Sequence, residues 1–168
     1  MLDHPVDVVD PLVAFYRSTV REVFAYLSRL CGDADRAADL TQDVYASVLR
    51  EMRAGRLVDP TVGWAIVVGR NKFLDGLRRS RREDRRLALV EVEHYAEPDW
   101  DAVGGGDALR LLGRLSDEHR AALVLRYLDD LTVADVAMQL HRSVAATESL
   151  LARARRQLAH LVEEDRHE

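Results

Sequence analysis

The chain has 168 residues, of which 48 % are apolar and 32 % charged, with a formal net charge of −5. That length suits one domain or two small ones and excludes an α/β barrel or a two-domain dinucleotide enzyme. The composition supports a packed fold, and only 9 Gly and 4 Pro argue against a turn-rich β protein.

Helical periodicity begins at residue 11. Leu12, Tyr16, Val20, Val23, Leu27 and Leu30 recur at three- and four-residue steps and predict one apolar helix face. Gly32-Asp33 breaks that helix, and Asp33 is suited to cap the next one. Cys31 is the only cysteine, so no internal disulfide can form; it is expected to pack as a small apolar side chain. The second helix is predicted to reach about Ala54, with Leu40, Val44, Val48, Leu49 and Met52 facing inward. Gly55 and Asp59-Pro60 mark a loop. A third helix starts near Thr61 and turns Trp64, Val67, Val68, Leu74 and Leu77 inward.

Residues 87–106 are acidic, contain Pro98 and end in Gly104-Gly105-Gly106. This stretch reads as a flexible joint between two domains that move independently. Helices resume over Ala108–Leu115 and from a Ser116 cap to about Leu128. Asp129-Asp130 forms a turn. Thr132 and Asp135 resemble a capping box that opens a helix ending at Leu140. After the tight turn His141-Arg142-Ser143, a last helix runs through Leu161. Two helices joined by so short a turn spell helix-turn-helix, with an ordinary αα-hairpin as the alternative. Leu131, Val136, Ala137 and Leu140 would pack on Val144, Leu150, Leu151 and Leu158. His141 would take the left-handed position often given to Gly. The predicted architecture is all-α, with two small helical domains, 11–86 and 107–163, joined by the acidic linker 87–106.

Charge is unevenly spread. Residues 70–86 carry a net +5, and residues 87–109 carry six acids and no Lys or Arg. Lys72 is the only lysine among 24 basic residues. The run Arg78, Arg79, Arg81, Arg82 is either a solvated face or a nucleic-acid contact. Arg70 and Lys72 can bind phosphate, and Asn71 and Asp75, four apart on one face, can hydrogen-bond base edges. Trp64 either fills the core or supports an unstacked base.

No catalytic constellation is present. Glu93-His94 and Glu118-His119 are adjacent pairs that point to different sides of a helix. The metal-ligand spacing His-x-x-x-His is missing, as is a phosphate loop following a strand. No catalytic residue, metal site or cofactor is expected. Apolar runs such as Trp64–Val68 and Ala121–Leu125 fall far short of the roughly 18 residues of a membrane span. The acidic start MLDHPVDVVD does not read as a signal peptide. The expectation is a cytoplasmic protein without membrane insertion.

Over residues 11–162 the sequence resembles the extracytoplasmic-function (ECF) group of bacterial RNA polymerase sigma factors. The resemblance lies in Ala37-Ala38-Asp39-Leu40-Thr41-Gln42-Asp43-Val44-Tyr45; in Trp64 to Asp75 with the arginines that follow; in Leu115-Ser116-Asp117-Glu118-His119-Arg120; in Leu123-Val124-Leu125-Arg126-Tyr127; in Asp135 to Leu140; and in Arg153-Ala154-Arg155. It implies a sigma region 2-like domain, a region 4-like helix-turn-helix domain, and a role as promoter-specificity subunit. The implied partners are core RNA polymerase (its clamp helices and flap), promoter DNA and an anti-sigma factor covering the faces between the domains.

Carried over by position, Asp39, Gln42, Asp43 and Tyr45 would meet core polymerase. Residues 53–82 would open and read the −10 element, with Arg70, Asn71, Lys72, Asp75, Arg78, Arg79, Arg81 and Arg82 as the DNA contacts. Arg142, Ser143, Ala145, Ala146, Thr147, Glu148, Ser149 and Arg153 would read the −35 element. The chain departs from the family pattern at Ala38, where Glu is usual, and at Glu148 and Leu150, which replace Lys and Arg and remove two positive charges from the DNA-facing helix. The rival reading is a helix-turn-helix regulator that acts without polymerase.

Overall fold

The computed structural model describes residues 10–84 and 105–166. The acidic segment predicted as a joint lies outside them, apart from Gly105 and Gly106, which open a helix. Seven helices follow in order among the described residues: α1 Pro11–Cys31, α2 Ala34–Arg53, α3 Val62–Asp84, α4 Gly105–Gly113, α5 Asp117–Leu123, α6 Val133–Leu140 and α7 Val144–Asp165. A π-helical turn, Val124–Leu128, prolongs α5.

The helix starts are written in the local chemistry. Asp10 accepts from the Leu12 amide at 2.8 Å and Asp33 from the Arg36 amide at 2.7 Å. Ser116, Thr132 and Ser143 do the same for α5, α6 and α7. Each side chain thereby satisfies an amide that the first turn leaves unpaired. The boundaries predicted from these residues agree with the structure to within a few positions.

α1, α2 and α3 form one cluster around Val23, Leu27, Leu30, Val44, Val48, Phe73 and Leu74, all nearly or wholly buried. Gly69 lets α3 approach α1 and α2: a methyl there would lie 2.9 Å from Leu27 Cδ2 and 3.1 Å from Val44 Cγ2. Two inward assignments of the sequence reading fall on neighbouring residues instead. Phe15 is buried, whereas Tyr16 is 46 % exposed. Val67 is likewise exposed while Ala65 is fully buried. Cys31 is buried as expected, and burial pushes its thiol from 9.0 up to about 11.

The second cluster comprises α4 to α7 and is built on Leu111, Leu115, Leu125, Val136, Leu140, Leu150, Leu151 and Leu158. Val144, expected in this core, is half exposed. His141 takes the left-handed conformation at φ 51°, ψ 52°. The Arg142 amide returns to Ala137 O at 2.9 Å and the His141 amide to Met138 O at 3.2 Å, the Schellman closure of a helix end.

The sequence reading has these clusters moving independently; the structure packs them together, and their buried side chains form one continuous core. Arg120 shows why. Its side chain is 3 % exposed, yet each guanidinium nitrogen has a partner, one of them across the junction. Nε donates to Leu30 O at 3.1 Å, and Nη1 donates to Leu112 O at 3.0 Å and Leu115 O at 2.9 Å. Asp117 takes Nη2. A buried guanidinium is stable only when its donors are matched in this way.

Candidate polymerase and nucleic-acid interfaces

On α2, the Asp33 cap sets the helix phase. Ala37, Thr41, Val44 and Val48 turn inward, and Asp39, Gln42 and Asp43 turn to solvent on one face. Tyr45 does not join that face. It is 7 % exposed, its hydroxyl pairs with Thr19 Oγ1 at 2.8 Å, and its ring packs against Phe15 and Tyr16 with centroids 5.8 and 4.8 Å away. Burial raises its pKa. Tyr45 follows buried Val44 on the inward-facing side of α2, so packing claims it. The exposed ring at this junction is Tyr16.

On α3, the predicted −10 residues divide into two sets. Asn71, Asp75, Arg79 and Arg82 are exposed, whereas Arg70, Lys72, Arg78 and Arg81 are partly covered. Arg70 Nη1 donates to Asp129 Oδ2 at 3.0 Å, and Tyr26 Oη donates to the same oxygen at 2.9 Å. Burial and the Asp129 carboxylate raise the Tyr26 hydroxyl above its ordinary pKa. Arg78 engages Asp75 and also donates to Gln139 O at 3.3 Å, while Arg81 donates to Leu140 O at 3.1 Å. Those two carbonyls end α6, where the helix dipole is negative. Glu118 lies 3.6 Å from Arg81 Nε and accepts from Arg142 at 2.6 Å. Trp64 packs against the core, which favours the first of its two readings.

On α7, Ser143 accepts from the Ala146 amide at 3.2 Å, and Ala145 and Glu148 are exposed after it. Ala146, Ser149 and Arg153 are half-buried, and Arg153 Nε reaches Ser149 O at 3.3 Å. Thr147 is fully buried, its hydroxyl returned to Ser143 O at 3.0 Å. It therefore packs rather than reads bases. Leu150 is 1 % exposed, so it fills the core and is not a missing DNA contact. Of the residues expected at the −35 element, Ser143, Ala145 and Glu148 are exposed, and Arg142, Ala146, Ser149 and Arg153 are partly covered.

Two residues that organise these surfaces have no role in the sequence reading beyond their place in a turn or a motif: Asp129, which collects Tyr26 and Arg70, and the buried Arg120. Among the described residues no group of His, Cys, Asp and Glu is placed to hold a metal, and no helix is long and apolar enough to cross a membrane.

The family model for Sigma-70 region 2 matches residues 15–83, and that for Sigma-70, region 4, matches residues 106–158. An ECF RNA polymerase sigma factor SigK from Mycobacterium sp. (strain KMS) is 30 % identical over 152 residues, covering 84 % of this chain and 77 % of that one. The chain belongs to the ECF group of RNA polymerase sigma factors. ECF sigma factor SigC from Mycobacterium tuberculosis is 27 % identical over 147 residues, covering 86 % of this sigma factor and 79 % of SigC. Among solved structures, the sigma factor RpoE from Bartonella quintana, crystallised with the anti-sigma factor NepR, shares the fold. Its TM-score is 0.52 at 21 % identity, over 88 % of this chain and 94 % of that one. As a sigma factor the chain binds core RNA polymerase and promoter DNA in transcription initiation.

Proposed function

We propose that this sigma factor divides promoter selection among three surfaces. The exposed row Asp39, Gln42, Asp43 on α2 docks on a basic face of core polymerase, its clamp helices. The basic end of α3 binds and opens the −10 element, its arginines offsetting the few kcal/mol of unstacking that flipped bases cost. The first turns of α7 enter the major groove at the −35 element. The acidic segment between the clusters threads through polymerase. The observation that carries this reading is the outward phase of Asp39, Gln42 and Asp43 on a helix whose opposite face is wholly core. A free DNA-binding regulator has no use for such an acidic row.

Asp39→Arg with Asp43→Arg tests it. The double variant is expected to keep its helical signal and its affinity for duplex DNA while losing co-migration with core polymerase. Unchanged polymerase binding would remove α2 from the interface. The Bartonella sigma factor was crystallised with an anti-sigma factor, which supports control of this chain by a partner of that kind.

A further inference from the structure

We infer that Glu148 makes this sigma factor select a G·C pair, read from its cytosine edge, at one position of the −35 element. The inference rests on the assignment of the first turns of α7 to the major groove. Those turns hold few side chains that are placed to read a base. Thr147, Leu150 and Leu151 are buried. Ser143 commits its hydroxyl to the Ala146 amide. Arg142 donates to Glu118 at 2.6 Å, and Arg153 Nε donates to Ser149 O at 3.3 Å. Between the Ser143 cap and Leu151 the exposed residues are Val144, Ala145 and Glu148. The polar group presented by that exposed face is therefore a carboxylate.

The surroundings of Glu148 leave it to the DNA. Val144, Ala145, Leu151 and Ala152 stand one turn away, the spacing at which helix side chains meet, and none of them is charged. The helix thus offers the carboxylate no cation. Ala145 and Ala152 are also small, so neither holds the helix away from the floor of the groove. A carboxylate brought between phosphates is repelled by them, and the helix binds well only where a base donor meets it. A carboxylate can only accept. Guanine N7 and O6 and thymine O4 are acceptors and repel it; cytosine N4 and adenine N6 donate. Adenine N6 stands between two acceptors, its own N7 and the O4 of the paired thymine. Cytosine N4 has an acceptor on one side, guanine O6, and a C5–H edge on the other. Cytosine therefore meets Glu148 with the least repulsion, and the repulsion from the other edges supplies the rest of the selectivity.

The test uses the full chain with core polymerase and a promoter fragment recovered by run-off transcription. The base pairs around −35 are randomised and the −10 element is kept. Bound fragments are sequenced for the wild type, Glu148→Gln and Glu148→Ala; Glu148 is exposed, so both variants keep the fold. The wild type should enrich cytosine about tenfold at one upstream position. Glu148→Gln should move the preference at that position to adenine, whose N6 and N7 suit an amide. Glu148→Ala should erase it there and leave every other position as it was. If the wild type shows upstream preferences and neither variant changes any of them, the reading by Glu148 is refuted while α7 keeps its place in the groove. If Glu148→Ala strengthens binding to all fragments equally and leaves the preferences intact, the carboxylate only repels phosphate, and the inference is refuted in the same way. If the wild type enriches no upstream base at all, the assignment of α7 to the −35 element itself fails, and the role of Glu148 fails with it.

Discussion

Gly32 and Arg120 fit together across the two helical clusters as a gap and the group that fills it. Gly32 ends α1 at φ 64°, and a methyl placed on it would overlap the Arg120 guanidinium. The same guanidinium needs that space to reach Leu30 O. The chain thus uses one glycine both to turn left-handed out of α1 and to admit a buried cation. Gly32→Ala is expected to lose about 2–4 kcal/mol of stability, more than the ~1 kcal/mol of left-handed strain alone. Urea unfolding measures it. A loss no larger than that of a surface alanine would show that Arg120 has another place to go.

Alkaline pH should weaken the fold. Cys31, raised to about 11 by burial, and Tyr26, also raised, hold their protons to higher pH in the folded chain than in the unfolded chain. The stability this gives is complete below about pH 9 for Cys31 and falls as pH climbs toward 11. Cys31→Ala should flatten the fall in Tm across that window while leaving the Tyr26 share. Identical profiles for wild type and Cys31→Ala would contradict the burial account.

Much of the fold was legible because helix ends announce themselves. Asp33, Ser116, Thr132 and Ser143 are cap residues whose chemistry acts within three positions of sequence. His141 was readable as a left-handed turn for the same local reason. Tyr45, Thr147 and Leu150 were not, because a family motif places a residue type on a helix but not the helix phase against its neighbours. The contacts of Arg120 and Asp129 were not legible for a different reason: their partners Leu30, Tyr26 and Arg70 lie far away in sequence, and a charged residue reads as surface until its partners are seen.

The two departures from the family pattern on α7 should separate experimentally. Glu148 is exposed, so Glu148→Lys should strengthen duplex DNA binding and steepen the dependence of log affinity on log salt by about one. Leu150 is core, so Leu150→Arg should cost about 3 kcal/mol or more by burying an unpaired charge. Salt-titrated anisotropy and thermal unfolding are the measurements. A stable Leu150→Arg that binds DNA more tightly would return Leu150 to the DNA face.

Arg79 and Arg82 are exposed, so their loss should weaken promoter opening without disturbing the fold. Arg79→Ala with Arg82→Ala is expected to reduce permanganate reactivity of unpaired thymines in the polymerase–promoter complex, with polymerase affinity unchanged. Full reactivity would place the opening surface elsewhere.

Run-off transcription on genomic fragments, with purified core polymerase in the presence and absence of the chain, is the most direct measurement. Discrete transcripts are expected only when the chain is present, and they should vanish with Asp39→Arg and Asp43→Arg. The same start sites with and without the wild-type chain would contradict its role in promoter selection.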